Sequence, residues 1–154
     1  MKEIVNILKE KQKTISTMES CSGGSLVNAI TNIEGASSVL KFSAVTYSNE
    51  FKIKMGVDED IINKYSVYSI ETAKEMAKVI SDFTNSDYSI GITGKLGVPD
   101  PNNNYAEDNI VYISIFDKNK NMYYDNIFVA DELSRSDNKD KLISFITMKL
   151  KEII

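Results

Sequence analysis

The sequence predicts an α/β fold, a single three-layer α/β/α domain with a mixed sheet over residues 1–154. Three observations carry this. Segments of helical and of strand periodicity alternate along the chain. One strand-like run, "NIVYISIFD", is apolar at nearly every position, as a strand covered on both faces is. Finally, 154 residues with 42% hydrophobic and 26% charged residues suit one soluble domain that buries a substantial core without staples.

The elements follow in order. Ile4, Val5, Ile7 and Leu8 recur at helical spacing, which predicts a helix over 2–11. "TISTM" (14–18) is a β-branched strand that ends before Gly23 and Gly24, and a helix over 23–32 follows. "EGAS" (34–37) is a turn, and "SVLKFSAVTYS" (38–48) contains a strand. "NEFKIKMGV" is read as helical, and 59–65 as a short helix. Ser69 is placed to cap a helix over 70–84, with Glu71 in its first turn. Ala73, Met76, Ala77, Ile80 and Phe83 form that helix's apolar stripe. "DYSIGITG" (87–94) is a strand ending in glycine. Residues 95–108 hold both prolines and three consecutive asparagines, a loop of a length usually tied to function. "NIVYISIFD", the turn "KNKN" and "MYYDNIFVA" make a hairpin. The final helix, 135–154, buries Leu142, Ile143, Phe145, Ile146, Leu150 and Ile153.

Composition removes several function classes. A net charge of −4 argues against a protein that grips nucleic-acid backbones, though it leaves room for a local basic pocket for one small anion. No apolar run reaches membrane-spanning length, and "MKEIVNILKEKQK" lacks a signal-peptide core, so a cytoplasmic location is expected. The single cysteine, Cys21, excludes an internal disulfide framework. The chain has no histidine, hence no Ser-His-Asp triad, no Cys-His dyad and no histidine metal ligand. Any nucleophile must be activated by lysine, a carboxylate, tyrosine or a helix N-terminus.

"ESCSGG" (19–24) lies between strand and helix and has two readings. Hydroxyls and bare amides at a helix start suit an anion or a developing oxyanion, and the glycines allow close approach. Equally, Ser22 is an N-cap and Gly23-Gly24 a tight turn, a common arrangement. Cys21 reads as a small buried apolar residue rather than an activated thiolate. "TYSNEFKIK" gathers Tyr47, Ser48 and Lys52 just after a strand, where α/β sheets bind ligands. Lys52 is a candidate base if burial lowers its pKa, and otherwise a solvated lysine. Thr93 and the amides of Gly94 and Lys95 could hold a phosphate or carbonyl, or simply turn the chain. Arg135 could clamp a phosphate, or be a surface arginine.

Taken together, "TMESCSGG", "AVTYSNEFK", "GITG" and an arginine opening the last helix resemble the CinA C-terminal domain family in order and approximate spacing. The resemblance covers almost the whole chain, and "ESCSGG" followed by "TYSNE" is its most specific part. It implies a CinA C-terminal domain-like α/β/α fold and hydrolysis of the carboxamide of nicotinamide mononucleotide to nicotinate mononucleotide and ammonia. It implies Ser20 as nucleophile and Lys52 as base. It places Glu19, Ser22, Gly23, Gly24, Tyr47, Ser48, Thr93, Gly94 and Arg135 around the substrate, with Arg135 near its phosphate. It implies no cofactor and no metal, a small-molecule nucleotide as partner, neither nucleic acid nor membrane, and a homo-oligomer.

Two departures from the family pattern stand out. The family's second loop reads like "GxxGPGG", whereas this chain has "GITGKLGVPDPNNN", with Lys95-Leu96 in place of Pro-Gly. A second family arginine corresponds to Lys139. The alternatives to a nicotinamide-nucleotide amidohydrolase are therefore the same mechanism on another amide, and a non-catalytic nucleotide-binding or competence-associated module.

Overall fold

The structure, a computed structural model, describes residues 1–97, 109–131 and 134–154. Its elements run α1 (Lys2–Glu10), β1 (Ile15–Glu19), α2 (Ser25–Thr31), β2 (Leu40–Val45), α3 (Asn49–Lys54), α4 (Glu59–Tyr65), α5 (Ile70–Thr84), β3 (Tyr88–Gly94), β4 (Ile110–Asp117), β5 (Met122–Val129) and α6 (Arg135–Ile153). A turn of 3₁₀ helix, Ala36–Ser38, precedes β2. The strand order is β2-β1-β3-β4-β5. β1 pairs parallel with β2 and β3, while β3–β4 and β4–β5 are antiparallel, so the sheet is mixed as the sequence predicts.

Helices cover both faces. On one side α1, α2 and α6 contribute Ile4, Leu8, Leu26, Ile30, Leu142, Ile146 and Leu150 to a large apolar cluster against β1, β3 and β4. On the other, Met76 and Ile80 of α5 pack with Ile62 of α4 and Met18. β4 lies between β3 and β5, which explains why its sequence is apolar almost throughout. Among the described residues no helix is long and apolar enough to cross a membrane.

Ser69 caps α5 as expected, its hydroxyl accepting from the Thr72 amide at 3.1 Å. The helix expected over 23–32 begins only at Ser25. Gly23 and Gly24 occupy left-handed conformations (φ 62° and 90°), which a helix cannot continue and which side chains other than glycine's rarely adopt. The 95–108 loop lies mostly outside the described residues; of it, Lys95 and Leu96 are buried and the Gly97 amide donates to Asn109 Oδ1 at 2.9 Å.

Gly91 sets how closely α5 sits on the sheet. A Cβ there would collide with the Ala73 carbonyl oxygen and lie 2.7 Å from the Ala77 amide nitrogen, and neither backbone atom has room to move. Gly91→Ala is therefore expected to destabilise the fold by about 3 kcal/mol, the upper end for overpacking. Denaturant unfolding of the variant checks this; an unchanged midpoint would count against so tight an approach.

Candidate active site

The strand order places the site. From β1 the chain passes to β2 on one side, and later to β3 on the other. The carboxyl end of β1 is thus the switch point, where open α/β sheets form their ligand crevice. Ser20 is the first residue past that end. Its amide donates to the Ile92 carbonyl at 3.0 Å, extending the β1–β3 pairing by one bond and fixing the residue.

The parallel β1–β2 pairing sets Glu19 beside Val45, so the chain beyond β2 emerges next to Ser20. Ser48 then starts α3, its hydroxyl accepting from the Phe51 amide at 3.3 Å. One turn of helix later Lys52 points inward and is only 1% exposed. Its Nζ lies 3.1 Å from Ser20 Oγ and 2.8 Å from the Thr46 carbonyl oxygen, to which it donates. Burial disfavours the ammonium and brings the Lys52 pKa down to about 8, with a smaller opposing effect from Cys21. A lysine so placed is a usable base near neutral pH. The Cys21 thiol moves the other way: burial pushes it up to about 12, against the pull of Arg135. It stays protonated and packs as an apolar group, as the sequence reading preferred.

Glu19 does something the sequence did not suggest. Fully buried, its carboxylate accepts from Ser22 Oγ (2.7 Å), the Leu26 amide (3.1 Å), the Val27 amide (2.8 Å) and Thr17 Oγ1 (3.2 Å). It is the anion at the start of α2. Two expectations change as a result. Ser22 is not the N-cap; Gly24 holds that position, and the Ser22 hydroxyl donates to Glu19 instead. Nor do the first helical amides face an incoming oxyanion, because Glu19 has taken them. The only signal was an acid directly after a strand and shortly before a glycine pair.

α6 closes the other side. Arg135 donates from a terminal guanidinium nitrogen to the Tyr47 hydroxyl at 3.0 Å, and Tyr47 is 65% exposed. One turn on, Lys139 Nζ stands 3.1 Å from where a Cβ at Gly23 would be, so the absence of a side chain at Gly23 makes room for that ammonium. Ser20, Lys52, Tyr47, Gly23, Arg135 and Lys139 thus gather around one loop, and three of them carry positive charge in an acidic protein.

The second loop is less directly involved. Thr93 is buried and donates to the Val67 carbonyl at 2.8 Å, and the Lys95 amide donates to the Ile110 carbonyl at 2.9 Å. Gly94 (φ 148°) is required by its neighbour strand: a Cβ would strike the Ile110 carbonyl oxygen and lie 2.6 Å from Val111 Cα. Two of the donors expected to hold a phosphate or carbonyl there, the Thr93 hydroxyl and the Lys95 amide, serve the fold. Among the described residues no group of three or more Cys, Asp or Glu side chains could hold a metal ion.

Comparison with known proteins identifies the family and the fold. A family model described as the CinA C-terminal domain matches residues 1–153. A putative competence-damage inducible protein of Clostridium beijerinckii is 39% identical over 145 residues, covering 94% of this chain and 34% of that protein. A CinA-like protein of Endomicrobium trichonymphae is 43% identical over 115 residues, covering 74% of this chain and 27% of its own length. This chain therefore spans about a third or less of those relatives. A CinA superfamily crystal structure from Escherichia coli superposes with a TM-score of 0.90 at 23% identity, covering 99% of this chain and 87% of that one. The competence/damage inducible protein CihA from Agrobacterium tumefaciens gives 0.87 at 22% identity, covering 97% and 92%. At these identities the structural likeness is one of fold.

Proposed function

The chain belongs to the CinA C-terminal domain family, and from that premise we propose that it is an amidohydrolase converting nicotinamide mononucleotide to nicotinate mononucleotide and ammonia. The observation that carries the reading is the 3.1 Å approach of a buried lysine amine to Ser20 Oγ in a chain without histidine. Neutral Lys52 takes the Ser20 proton as Oγ bonds to the carboxamide carbon. The tetrahedral intermediate then expels the amide nitrogen, which leaves as ammonia with the proton returned by Lys52. Water attacks the resulting acyl-serine ester, Lys52 again takes the proton, and the carboxylate leaves as Ser20 Oγ is restored. Arg135 and Lys139 supply the positive charge a nucleotide phosphate would meet at the loop's edge.

Ammonia release from nicotinamide mononucleotide by the purified protein is the test. The wild type is expected to turn over while Ser20→Ala falls to the buffer rate. Equal release from the two proteins would end the proposal.

A second reading, the same chemistry on another amide, is favoured by Lys95. This lysine is buried, its Nζ lies 5.2 Å from the Tyr68 ring centre, and it stands where the family pattern has proline. A panel of nucleotide and acyl amides separates the two.

A further inference from the structure

Thr46 holds the catalytic lysine with its backbone and carries a side chain the fold does not use. It follows the last residue of β2. Its amide donates to the Glu19 carbonyl and its carbonyl accepts from Lys52 Nζ, both at 2.8 Å. The residue is 2% exposed, and among the described residues its Oγ1 has no hydrogen-bond partner. A buried hydroxyl without a partner costs stability, and valine would fill the same volume without that cost. Neither packing nor the hydrogen bonds of the fold account for a threonine here.

The proton inventory of Lys52 does. A neutral amine directs its lone pair at the Ser20 hydroxyl and has two N–H groups. Once it has taken the Ser20 proton it has three. Ser20 Oγ and the Thr46 carbonyl accept two of them, and among the described residues no third acceptor is in place. The idle hydroxyl belongs to the same residue whose carbonyl already accepts from Lys52. We infer that Thr46 is a positioning residue for the Ser20–Lys52 pair, its hydroxyl turning to accept the third N–H of Lys52 when Ser20 gives up its proton. The Thr46 proton stays on its own oxygen throughout; the only proton moved is the one Ser20 gives to Lys52.

Other charged groups around Lys52 are already disposed. Cys21 is a protonated thiol, and the Glu19 carboxylate is turned to α2. Arg135 acts on Cys21 from α6, and on α3 itself Glu50 pairs with Lys54 at the surface. Beyond α3, Gly56 faces Val79 of α5, while Glu75 of α5 is influenced by Asp58 and Lys78.

The inference rests on the amidohydrolase reading for its kinetic arm only. Thr46→Val and Thr46→Ser are compared with wild type by thermal unfolding, by NMR titration of ¹³C-lysine-labelled protein with Lys52→Met assigning the signal, and by the pH profile of ammonia release. At pH 9, where Lys52 is mostly neutral, Thr46→Val is expected to be at least as stable as wild type; it is also expected to titrate Lys52 about one pH unit lower and to turn over about tenfold more slowly at its plateau. Thr46→Ser is expected to restore titration and rate. A valine variant that titrates and turns over like wild type overturns the inference, as does one that fails to fold, since an unpartnered hydroxyl cannot be what stabilises the fold. If wild type releases no ammonia from nicotinamide mononucleotide, the functional reading fails, and the Lys52 titration still decides the role of Thr46.

Discussion

Replacing Lys52 by methionine is expected to lower ammonia release about a thousandfold or more and, at pH 7, to make the protein about 2 kcal/mol more stable. Both effects have one cause. Folding takes the lysine from an ordinary value of 10.5 to about 8 because its ammonium leaves water. Below pH 8 the folded chain carries a buried charge at a cost of about 3 kcal/mol, of which the loss of a donor to the Thr46 carbonyl offsets about 1 in the variant. Between pH 8 and 10.5 the unfolded chain holds a proton the folded one lacks, so wild-type stability rises with pH across that window. The advantage of Lys52→Met should therefore be full at pH 7 and fade toward pH 10.5. Activity follows the same equilibrium in the opposite sense. In the proposed mechanism Lys52 acts as base only when neutral, so about a tenth of wild-type molecules would be competent at pH 7 and about half near pH 8, and the expected rate climbs through that pH. Denaturant unfolding at pH 7 and pH 10 reads the first effect, and a rate profile reads the second. A methionine variant less stable than wild type at pH 7 would show that the ammonium is better solvated than its burial implies.

Local patterns made Ser20 and Lys52 candidates, the family resemblance named them as a pair, and only the structure brings the two side chains together. A β-branched strand ending in hydroxyls, and a strand followed by a capped short helix, are patterns within about ten residues. Their union needs only that two consecutive strands joined by a helix lie parallel, the usual outcome for a β-α-β unit. What sequence did not reveal depends on contacts no local pattern encodes. The roles of Ser22 and Thr93 turn on which acceptor lies within reach, and both acceptors, Glu19 and the Val67 carbonyl, come from the tertiary arrangement. α2 has seven residues, too few for periodicity to place its first turn, so its start was read two residues early. The burial of Lys95 runs against composition, since lysine is seldom inside.

Glu19 is where the fold and the site are joined, and its removal is expected to be the most damaging single change to stability. Glu19→Ala should cost about 3–5 kcal/mol, the range for taking one partner from a buried charged network. It strips the Leu26 and Val27 amides and the Ser22 and Thr17 hydroxyls of their shared acceptor, at a position buried from bulk solvent. Glu19→Gln keeps the shape but turns an NH₂ toward two of those donors, so it should recover only part of the loss. Ser22→Ala removes a single donor from a carboxylate that keeps three, and about 1 kcal/mol is expected. Activity should follow in the same order, because Glu19 immediately precedes Ser20 and its carbonyl takes the Thr46 amide, on the residue that holds Lys52. Urea unfolding of the three variants, with ammonia release measured where the protein remains folded, gives the ranking. If Glu19→Ala unfolds within 1 kcal/mol of wild type, α2 is held by its apolar face alone and the "ESCSGG" loop needs no buried anion to keep its form.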